Sequence, residues 1–240
     1  MISAEAIQRL ATQYQTTTLN VAREYCQHLF LSAFYQHKTS SRILFKGGTA
    51  LRVIYGSPRF SEDLDFSGFS LRAPAIETLL EETLGVVERV GIGVEIEEAK
   101  ATSGGYLGII HHRFLDYRVE TRLEISLRGR TVVRPETTLI AGDFLPAYTL
   151  LHLPQERLVE EKLDALLDRA KPRDFYDLYF LLRKGLVPRQ HRHRLAEILT
   201  RLTRMSSESF QEMKLFLPRD HQTIAKDLKS VLARELQRYV

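Results

Sequence analysis

The sequence predicts an α+β fold for residues 1–150, followed by a helical C-terminal domain over residues 151–240. Three observations lead to this prediction. Short apolar runs with a period of two residues alternate with helical patterns up to about residue 150. After Pro154, helical patterns follow one another, separated by prolines and basic loops. Hydrophobic residues make up 44% and charged residues 27% of the 240 positions, a globular mixture able to bury a sizeable core.

The individual elements follow from periodicity and from breaker residues. Residues 4–37 are predicted to be helical, because apolar side chains recur there at three- and four-residue spacing. The apolar run 43–45 indicates a buried strand, and the next helix begins near Thr49 and ends before Gly56. A strand follows through Phe66. Further elements are predicted as a helix at 75–90, strands at 92–96, 106–111, 113–119 and 121–128, and helices at 155–170, 173–184, 193–204, 206–216 and 220–238.

Composition predicts a cytoplasmic protein. No apolar stretch approaches the roughly 20 residues that a membrane span needs. The first residues, MISAEAIQRL, carry an acid and polar side chains and lack a basic region before an apolar run, so we expect no signal peptide. Cys26 is the only cysteine, which excludes an intrachain disulfide and a cysteine zinc site.

The formal charge of +4 is concentrated near the C-terminus. Residues 183–194 and 200–204 are rich in Arg, Lys and His. Such segments are able to contact the phosphates of a nucleic acid, although drift in surface composition would also produce them. His191 and His193 lie in the first segment, and we assign them to this basic loop because no third metal ligand is suitably spaced.

The chemistry is predicted at the end of segment 45–66. If its last part is a strand, one face is polar and the opposite face is mostly apolar. The polar face carries Arg59, Ser61, Asp63 and Asp65. Two carboxylates on one face are able to converge on a pair of hard cations. Alternatively the pair is a solvated edge, as Glu95 and Glu97 with the same spacing are expected to be.

A glycine-rich turn precedes the two aspartates. Lys46, Gly47, Gly48 and Thr49 lie between the strand and the helix that follows it. Glycines there allow the backbone to approach a phosphate, the helix N-terminus offers N–H groups, and Thr49 adds a hydroxyl donor. A tight turn that needs glycine only for its conformation is the alternative.

Glu124 is the candidate for a third carboxylate. In the predicted strand at 122–128 it lies on the polar face with Arg122, Ser126 and Arg128. It would serve as a metal ligand or as the base for an attacking hydroxyl. The alternative is a surface residue paired with Arg122 or Arg128.

These motifs resemble the nucleotidyltransferase toxins of the AbiEii/AbiGii family, which are related to the MenT toxins within the DNA polymerase β-like superfamily. The resemblance covers the N-terminal domain and the first helices of the next, to about residue 185. It rests on Lys46-Gly47-Gly48-Thr49-Ala50-Leu51, Arg59-x-Ser61-x-Asp63-x-Asp65 and Arg173-Asp174-x-x-Asp177-Leu178. Superfamily members more often have Gly-Ser where this chain has Gly48-Thr49, and an aspartate where it has Glu124.

The resemblance implies a nucleotidyltransferase-like mixed sheet, NTP as substrate, two Mg²⁺ ions and a cognate antitoxin. Some family members modify tRNA 3′ ends. By resemblance Lys162 contacts the nucleotide phosphates, and on a helix it shares a stripe with Arg169. Asp174 and Asp177 lie three residues apart, so both are able to face a cleft. Alternatively, Asp174 caps the helix or pairs with Arg169 or Arg173.

Three functions remain open from the sequence. The first is a metal-dependent nucleotidyltransferase that modifies RNA, expected to be tRNA, as the toxin of a toxin–antitoxin pair. In it Asp63, Asp65 and Glu124 bind metal, the turn at 46–49 with Arg59 and Ser61 binds the NTP, and Lys162 and Asp174 complete the catalytic set. The second is a transferase acting on a small molecule or a protein. The third is a nucleotide-binding module that acts by sequestration.

Overall fold

The computed structural model describes residues 1–128 and 133–239, which form two compact units. The first comprises Met1–Gly56 and Phe60–Leu153. The second comprises Ser57–Arg59 and the chain from Pro154 onward. No helix within the described ranges is long and apolar enough to cross a membrane.

The first unit is built on a seven-stranded sheet. Its elements are α1 (Ala4–Gln13), α2 (Thr18–Phe34), a 3-10 helix (Lys38–Arg42), β1 (Ile43–Lys46), α3 (Gly47–Tyr55), β2 (Asp63–Phe69), α4 (Ala73–Arg89), β3 (Gly93–Thr102), β4 (Gly105–Phe114), β5 (Tyr117–Arg128), β6 (Glu136–Ile140) and β7 (Tyr148–His152). The strand order is β3-β4-β5-β2-β1-β7-β6. The pairs β2–β5 and β1–β7 are parallel and the others are antiparallel. The sheet is therefore mixed, and the predicted α+β class is confirmed.

Helices of the first unit cover one face of this sheet. Apolar side chains of α1, α2 and α4 pack against residues of β4 and β5 in one buried cluster. The cluster contains Ile7, Leu10, Ala11, Val21, Ala22, Tyr25, Cys26, Leu29, Val87, Ile92, Phe114 and Val119. Leu64 and Phe66 on β2 are also fully buried, whereas Asp63 and Asp65 are only partly buried. The alternation along β2 thus separates an apolar face from a polar one.

The second unit is helical. Its elements are α5 (Gln155–Asp168), α6 (Pro172–Arg183), a 3-10 helix (Arg189–Arg194), α7 (Leu195–Arg204), two further 3-10 helices (Ser207–Phe216 and Arg219–His221) and α8 (Gln222–Gln237). Each long helix buries one apolar stripe, such as Leu228, Leu232 and Leu236 on α8.

Several predicted elements differ from the structure. The single helix expected at 4–37 is two helices, because Gln15 adopts a left-handed conformation and the Thr17 hydroxyl caps α2 by accepting a hydrogen bond from the Asn20 N–H. The strands expected at 113–119 and 121–128 form one strand, β5, whose partner β4 extends to Phe114. Strands β6 and β7 were not predicted, because each has only five residues and weak alternation.

Candidate active site

Asp63 and Asp65 occupy the polar face of β2, as their spacing predicts. The register places Lys46 of β1 beside Asp65, and places Arg122 and Glu124 of β5 beside Asp63 and Asp65. Residues paired in register point to the same face of a sheet. Two aspartates, a glutamate, a lysine and an arginine therefore share one face of the sheet at the point where β1 ends.

Gly47 brings the backbone against Asp65. Its φ is +83°, a left-handed conformation that side chains other than glycine rarely adopt. A Cβ atom at this position would lie 2.7 Å from both Cβ and Cγ of Asp65, which is inside van der Waals contact. Only glycine therefore permits this close approach. The N-terminus of α3, which begins at Gly47, consequently lies next to the Asp65 carboxylate.

Thr49 and Gly48 are buried at the beginning of α3. The Thr49 hydroxyl donates a hydrogen bond to the main-chain oxygen of Asp63. A hydroxyl has a single hydrogen, so Thr49 as seen here ties α3 to the start of β2. Donation from Thr49 to a phosphate, which the sequence predicts, would require this bond to break.

Glu124 lies beside Asp65 in the sheet but its carboxylate is engaged elsewhere. Its Oε1 accepts a hydrogen bond from Arg122 Nε at 2.7 Å, and both side chains are nearly half exposed. The surface pairing considered from the sequence is therefore present. Within residues 1–128 and 133–239, no group of three His, Cys, Asp or Glu side chains has a geometry that could hold a metal ion.

Arg59 and Ser61 do not lie on the strand with the aspartates. The prediction of one continuous polar face from Arg59 to Asp65 is wrong in this respect, because β2 begins at Asp63. The main-chain oxygen of Ser61 accepts a hydrogen bond from Gln27 Nε2 at 2.9 Å, which attaches the preceding loop to α2. Arg59 belongs to the second unit.

In the second unit, Arg59 and Lys162 converge on Asp177. The Arg59 guanidinium donates from Nε at 2.9 Å and from Nη2 at 3.0 Å to the two carboxylate oxygens. Lys162 Nζ donates to Oδ2 at 2.7 Å. All three residues are buried. Lys162, predicted to contact phosphate, is thus held by a carboxylate on α6.

Electrostatics favour the ionised form of this cluster. Burial alone would raise the pKa of Asp177, but the charges of Arg59 and Lys162 outweigh it and lower that pKa. Burial alone would lower the pKa of Arg59, but the negative charge of Asp177 outweighs burial and raises that pKa. The two cations and the carboxylate therefore stabilise one another in a site removed from water.

Asp174 is also buried and faces a different partner. Its two carboxylate oxygens accept hydrogen bonds from Nε and Nη2 of Arg169, both at 3.0 Å. The structure therefore contains the Arg169 pairing that was the alternative to a catalytic Asp174.

Sequence reasoning missed the importance of Glu24 and left the role of Asp177 open. Glu24 is a buried acid on α2 that accepts two hydrogen bonds from Arg52 of α3, at 2.5 and 2.9 Å. The Arg52 guanidinium lies 3.5 Å from the centroid of the Phe60 ring, just before β2. The signal in both cases is an acid inside a largely apolar helix, which demands a buried cation.

Comparison with known proteins gives the same assignment as the motifs. The chain matches, over residues 29–238, the family model described as "Nucleotidyl transferase AbiEii toxin, Type IV TA system". This match extends well past residue 185, where the motif resemblance ended. A search among curated proteins found no significant match.

Two crystal structures from Helicobacter pylori are similar to this chain. JHP933 has a TM-score of 0.61 at 20% sequence identity, over 93% of this chain and 95% of that one. A candidate nucleotidyltransferase has a TM-score of 0.63 at 21% identity, over 100% of this chain and 99% of that one. At such identities the likeness concerns the fold, and it supports the predicted nucleotidyltransferase-like core. With the family match over most of its length, the chain belongs to the AbiEii family of toxin–antitoxin nucleotidyltransferases and is a nucleotidyltransferase.

Proposed function

We propose that this protein transfers a nucleoside monophosphate from an NTP to the end of an RNA, with tRNA as the expected acceptor. In this proposal residues 1–150 form the catalytic domain, and the cell compartment is the cytoplasm. The observation that carries the proposal is the approach of Gly47 to Asp65 at the N-terminus of α3, beside Asp63 and Lys46. The family generally uses an NTP and a divalent metal, and membership implies a cognate antitoxin.

The donor set suits a hard divalent cation, which we take to be Mg²⁺. Asp63 and Asp65 present carboxylate oxygens on one face of β2, and Mg²⁺ prefers one or two carboxylates together with phosphate oxygens. When bound, the metal would neutralise charge on the triphosphate and lower the pKa of an attacking hydroxyl. Glu124 lies beside Asp65, and we propose it as an additional ligand or base once its contact with Arg122 is released.

The N-terminus of α3 is proposed to receive the triphosphate. Lys46 is the N-cap residue of α3 and provides no side-chain cap hydrogen bond, so the first N–H groups of the helix are not satisfied in that way. These N–H groups and the helix dipole favour a phosphate. The neighbouring carboxylate of Asp65 opposes an anion there, which is consistent with a requirement for a cation between them.

Lys162 is proposed to contribute positive charge to the nucleotide site, with Asp177 as its positioning residue. Asp177 fixes the ammonium at 2.7 Å, and the Arg59 guanidinium fixes Asp177 in turn. A preorganised cation lowers the barrier more than a mobile one, because no reorganisation is needed during the reaction. Arg59 in turn is proposed to hold Asp177, and through it the Lys162 ammonium, in place.

The basic segment at 183–194 supports an RNA acceptor, and the structure divides its cations into two groups. Arg183, Lys184 and Arg189 have exposed side chains. Arg194 is paired with Asp164, and Arg192 lies 4.7 Å from the centroid of the Tyr239 ring. We therefore assign phosphate contacts to the exposed group.

The proposal is tested by incubating the protein with each labelled NTP and total RNA, with and without Mg²⁺. We expect label in RNA of tRNA size, and loss of labelling in Asp65→Asn. Asp116→Asn, an exposed aspartate between β4 and β5, is the matched control and should label normally. Label in protein or in small molecules instead of RNA would show that RNA is not the acceptor. Labelling by Asp65→Asn at the wild-type level would refute the assigned site.

A charge-neutralising test addresses the RNA acceptor separately. Replacing Arg183, Lys184 and Arg189 with Gln should weaken RNA binding. In a plot of the logarithm of the RNA-binding constant against the logarithm of salt concentration, the slope should become shallower by about two to three. NTP binding should be unchanged. An unaltered salt slope would remove this segment from the acceptor site.

A further inference from the structure

The first unit contains a cavity of about 200 Å³ between α4 and the strands β3 and β4. On β4, Tyr106 and Ile110 line the cavity, and they alternate with residues such as Leu107, which is in register with Glu124. Since neighbouring residues of a strand point to opposite faces, the cavity lies on the sheet face opposite Asp65. It is therefore separate from the candidate active site.

Tyr106 supplies a buried hydroxyl to this cavity. The residue is only 2% exposed, and its hydroxyl has no hydrogen-bond partner in the described part of the chain. Burial, followed by the charges of Glu77 and Glu81, raises the pKa of Tyr106, so the phenol stays neutral within range of both carboxylates. A buried polar group without a partner is costly, and the cavity beside this hydroxyl has room for a donor that would satisfy it.

Two carboxylates at the rim, Glu77 and Glu81, have no counter-ion among the described residues. Glu77 and Glu81 lie one turn apart on α4, and both side chains line the cavity. Neither forms a hydrogen bond or an ion pair with a residue that the structure describes, whereas Glu82 on the same helix contacts His37. Like charges at this spacing repel each other and destabilise the helix. A cation between them would relieve that repulsion.

The rest of the lining is mostly apolar, apart from Glu98 of β3, which forms an ion pair with Lys100. Leu80 and Leu84 of α4 face Ile96 of β3 and Ile110 of β4 across the cavity. Ile96 is 48% exposed, so part of this apolar surface is open to solvent. The volume exceeds the roughly 150 Å³ of a cavity that binds benzene, and it is smaller than the roughly 300–1,000 Å³ typical of sites for drug-sized ligands. The cavity thus suits one short aliphatic chain that ends in a positive charge.

We propose that this cavity binds the alkylammonium group of a primary amine, either as a free aliphatic amine or as a lysine side chain of a bound polypeptide. The aliphatic stem packs against the leucine and isoleucine walls. The ammonium group has three donors. It lies between the carboxylates of Glu77 and Glu81 and donates to the Tyr106 hydroxyl oxygen.

The test is a titration of the full-length protein with n-butylammonium chloride at constant ionic strength, followed by NMR of the backbone amides. We expect saturable shifts confined to α4, β3 and β4, and no such shifts with 1-butanol. The double variant Glu77→Gln/Glu81→Gln should bind at least about tenfold more weakly. Tyr106→Phe, which removes only the hydroxyl, should bind about three- to tenfold more weakly.

A charge-matched control is available in the same unit. Glu88→Gln/Glu120→Gln also removes two exposed carboxylates, one on α4 and one on β5, and neither residue lines the cavity. Its affinity for n-butylammonium should equal that of the wild type. If this control loses as much affinity as Glu77→Gln/Glu81→Gln does, the effect comes from net charge alone, and the proposed binding site is refuted.

A second arm identifies the source of the amine. Short extended peptides containing one lysine are compared with the same peptides in which that lysine is acetylated. Binding of the lysine peptide alone identifies a polypeptide ligand, and binding of the free amine with equal or higher affinity identifies a small amine. If neither gives saturable shifts, or if Glu77→Gln/Glu81→Gln binds as the wild type does, the proposal is refuted.

Discussion

Replacing Asp177 with Asn would remove the negative charge from the buried Arg59–Lys162–Asp177 cluster while preserving the shape of the side chain. Asp177 accepts three charge-assisted hydrogen bonds, at 2.9 and 3.0 Å from Arg59 and at 2.7 Å from Lys162. The side chains of Asp177, Arg59 and Lys162 are only 1%, 5% and 11% exposed. The two cations would then remain buried without this carboxylate.

The structure indicates a large cost for this change. A hydrogen bond to a charged group contributes about 1.5–3 kcal/mol, but three bonds to one carboxylate do not add independently. Breaking a buried ion pair by removing one partner typically costs about 3–5 kcal/mol. We therefore expect Asp177→Asn to lower the free energy of unfolding of the second unit by about 3–5 kcal/mol.

The assay is urea unfolding followed by circular dichroism, with Asp174→Asn as the matched control. Asp174 is as buried as Asp177, but its partner Arg169 is 44% exposed and hence screened by solvent. The control should lose only about 1 kcal/mol. A loss below about 1 kcal/mol in Asp177→Asn as well would contradict the assignment of Asp177 as the counter-ion of two buried cations.

The pH dependence gives an independent check on Asp177. Its pKa is lowered in the folded protein, so its contribution is fully present above the unfolded pKa of roughly 3.9. That contribution is lost as the pH falls through the folded pKa. The stability difference between wild type and Asp177→Asn should thus be constant from about pH 5 to 8 and decrease below about pH 4.

Three further predictions concern other parts of the molecule. Gly47→Ala should abolish nucleotide transfer because its Cβ displaces Asp65, whereas Gly56→Ala has a similar positive φ with open space around it and should retain activity, as measured by labelled NTP transfer. Burial lowers the pKa of His112 to about 4, so wild-type stability should fall between about pH 6.5 and 4, and His112→Leu should remove roughly 3 kcal/mol of that fall in urea titrations at each pH. Expression without an antitoxin should arrest growth, whereas Asp63→Ala and Lys162→Ala at equal protein levels should not. Lys162→Ala should lower the rate of nucleotide transfer about 30- to 1,000-fold. Growth arrest by both variants would favour action by sequestration.

Local patterns were sufficient to predict the strand that carries Asp63 and Asp65. Period-two alternation placed Asp63 and Asp65 opposite Leu64 and Phe66, because side-chain direction in a strand depends only on sequence spacing. The need for glycine before α3 was also visible, since few residues other than glycine tolerate a positive φ at a strand-to-helix turn.

Partners distant in the chain were not predictable in the same way. Arg59 and Asp177 are 118 positions apart, and no local pattern indicates that they meet. Predicted to lie on the strand with Asp63, Arg59 instead belongs to the helical unit, because a buried carboxylate stabilises its guanidinium there. Strands β6 and β7 were missed for a related reason: their position depends on pairing with each other and with β1.

The parallel pairing of β1 with β7 has a consequence for the order in which the chain folds. Phe45 is in register with His152, so more than one hundred residues separate the two strands. During synthesis β1 and the turn at Gly47 leave the ribosome long before β7 is made, and one edge of β1 stays unpaired in that interval. Pairings of such separation form slowly because loop closure must precede them. A nascent toxin of this topology therefore acquires a complete sheet only after most of its first unit has been translated, which delays the appearance of activity relative to synthesis.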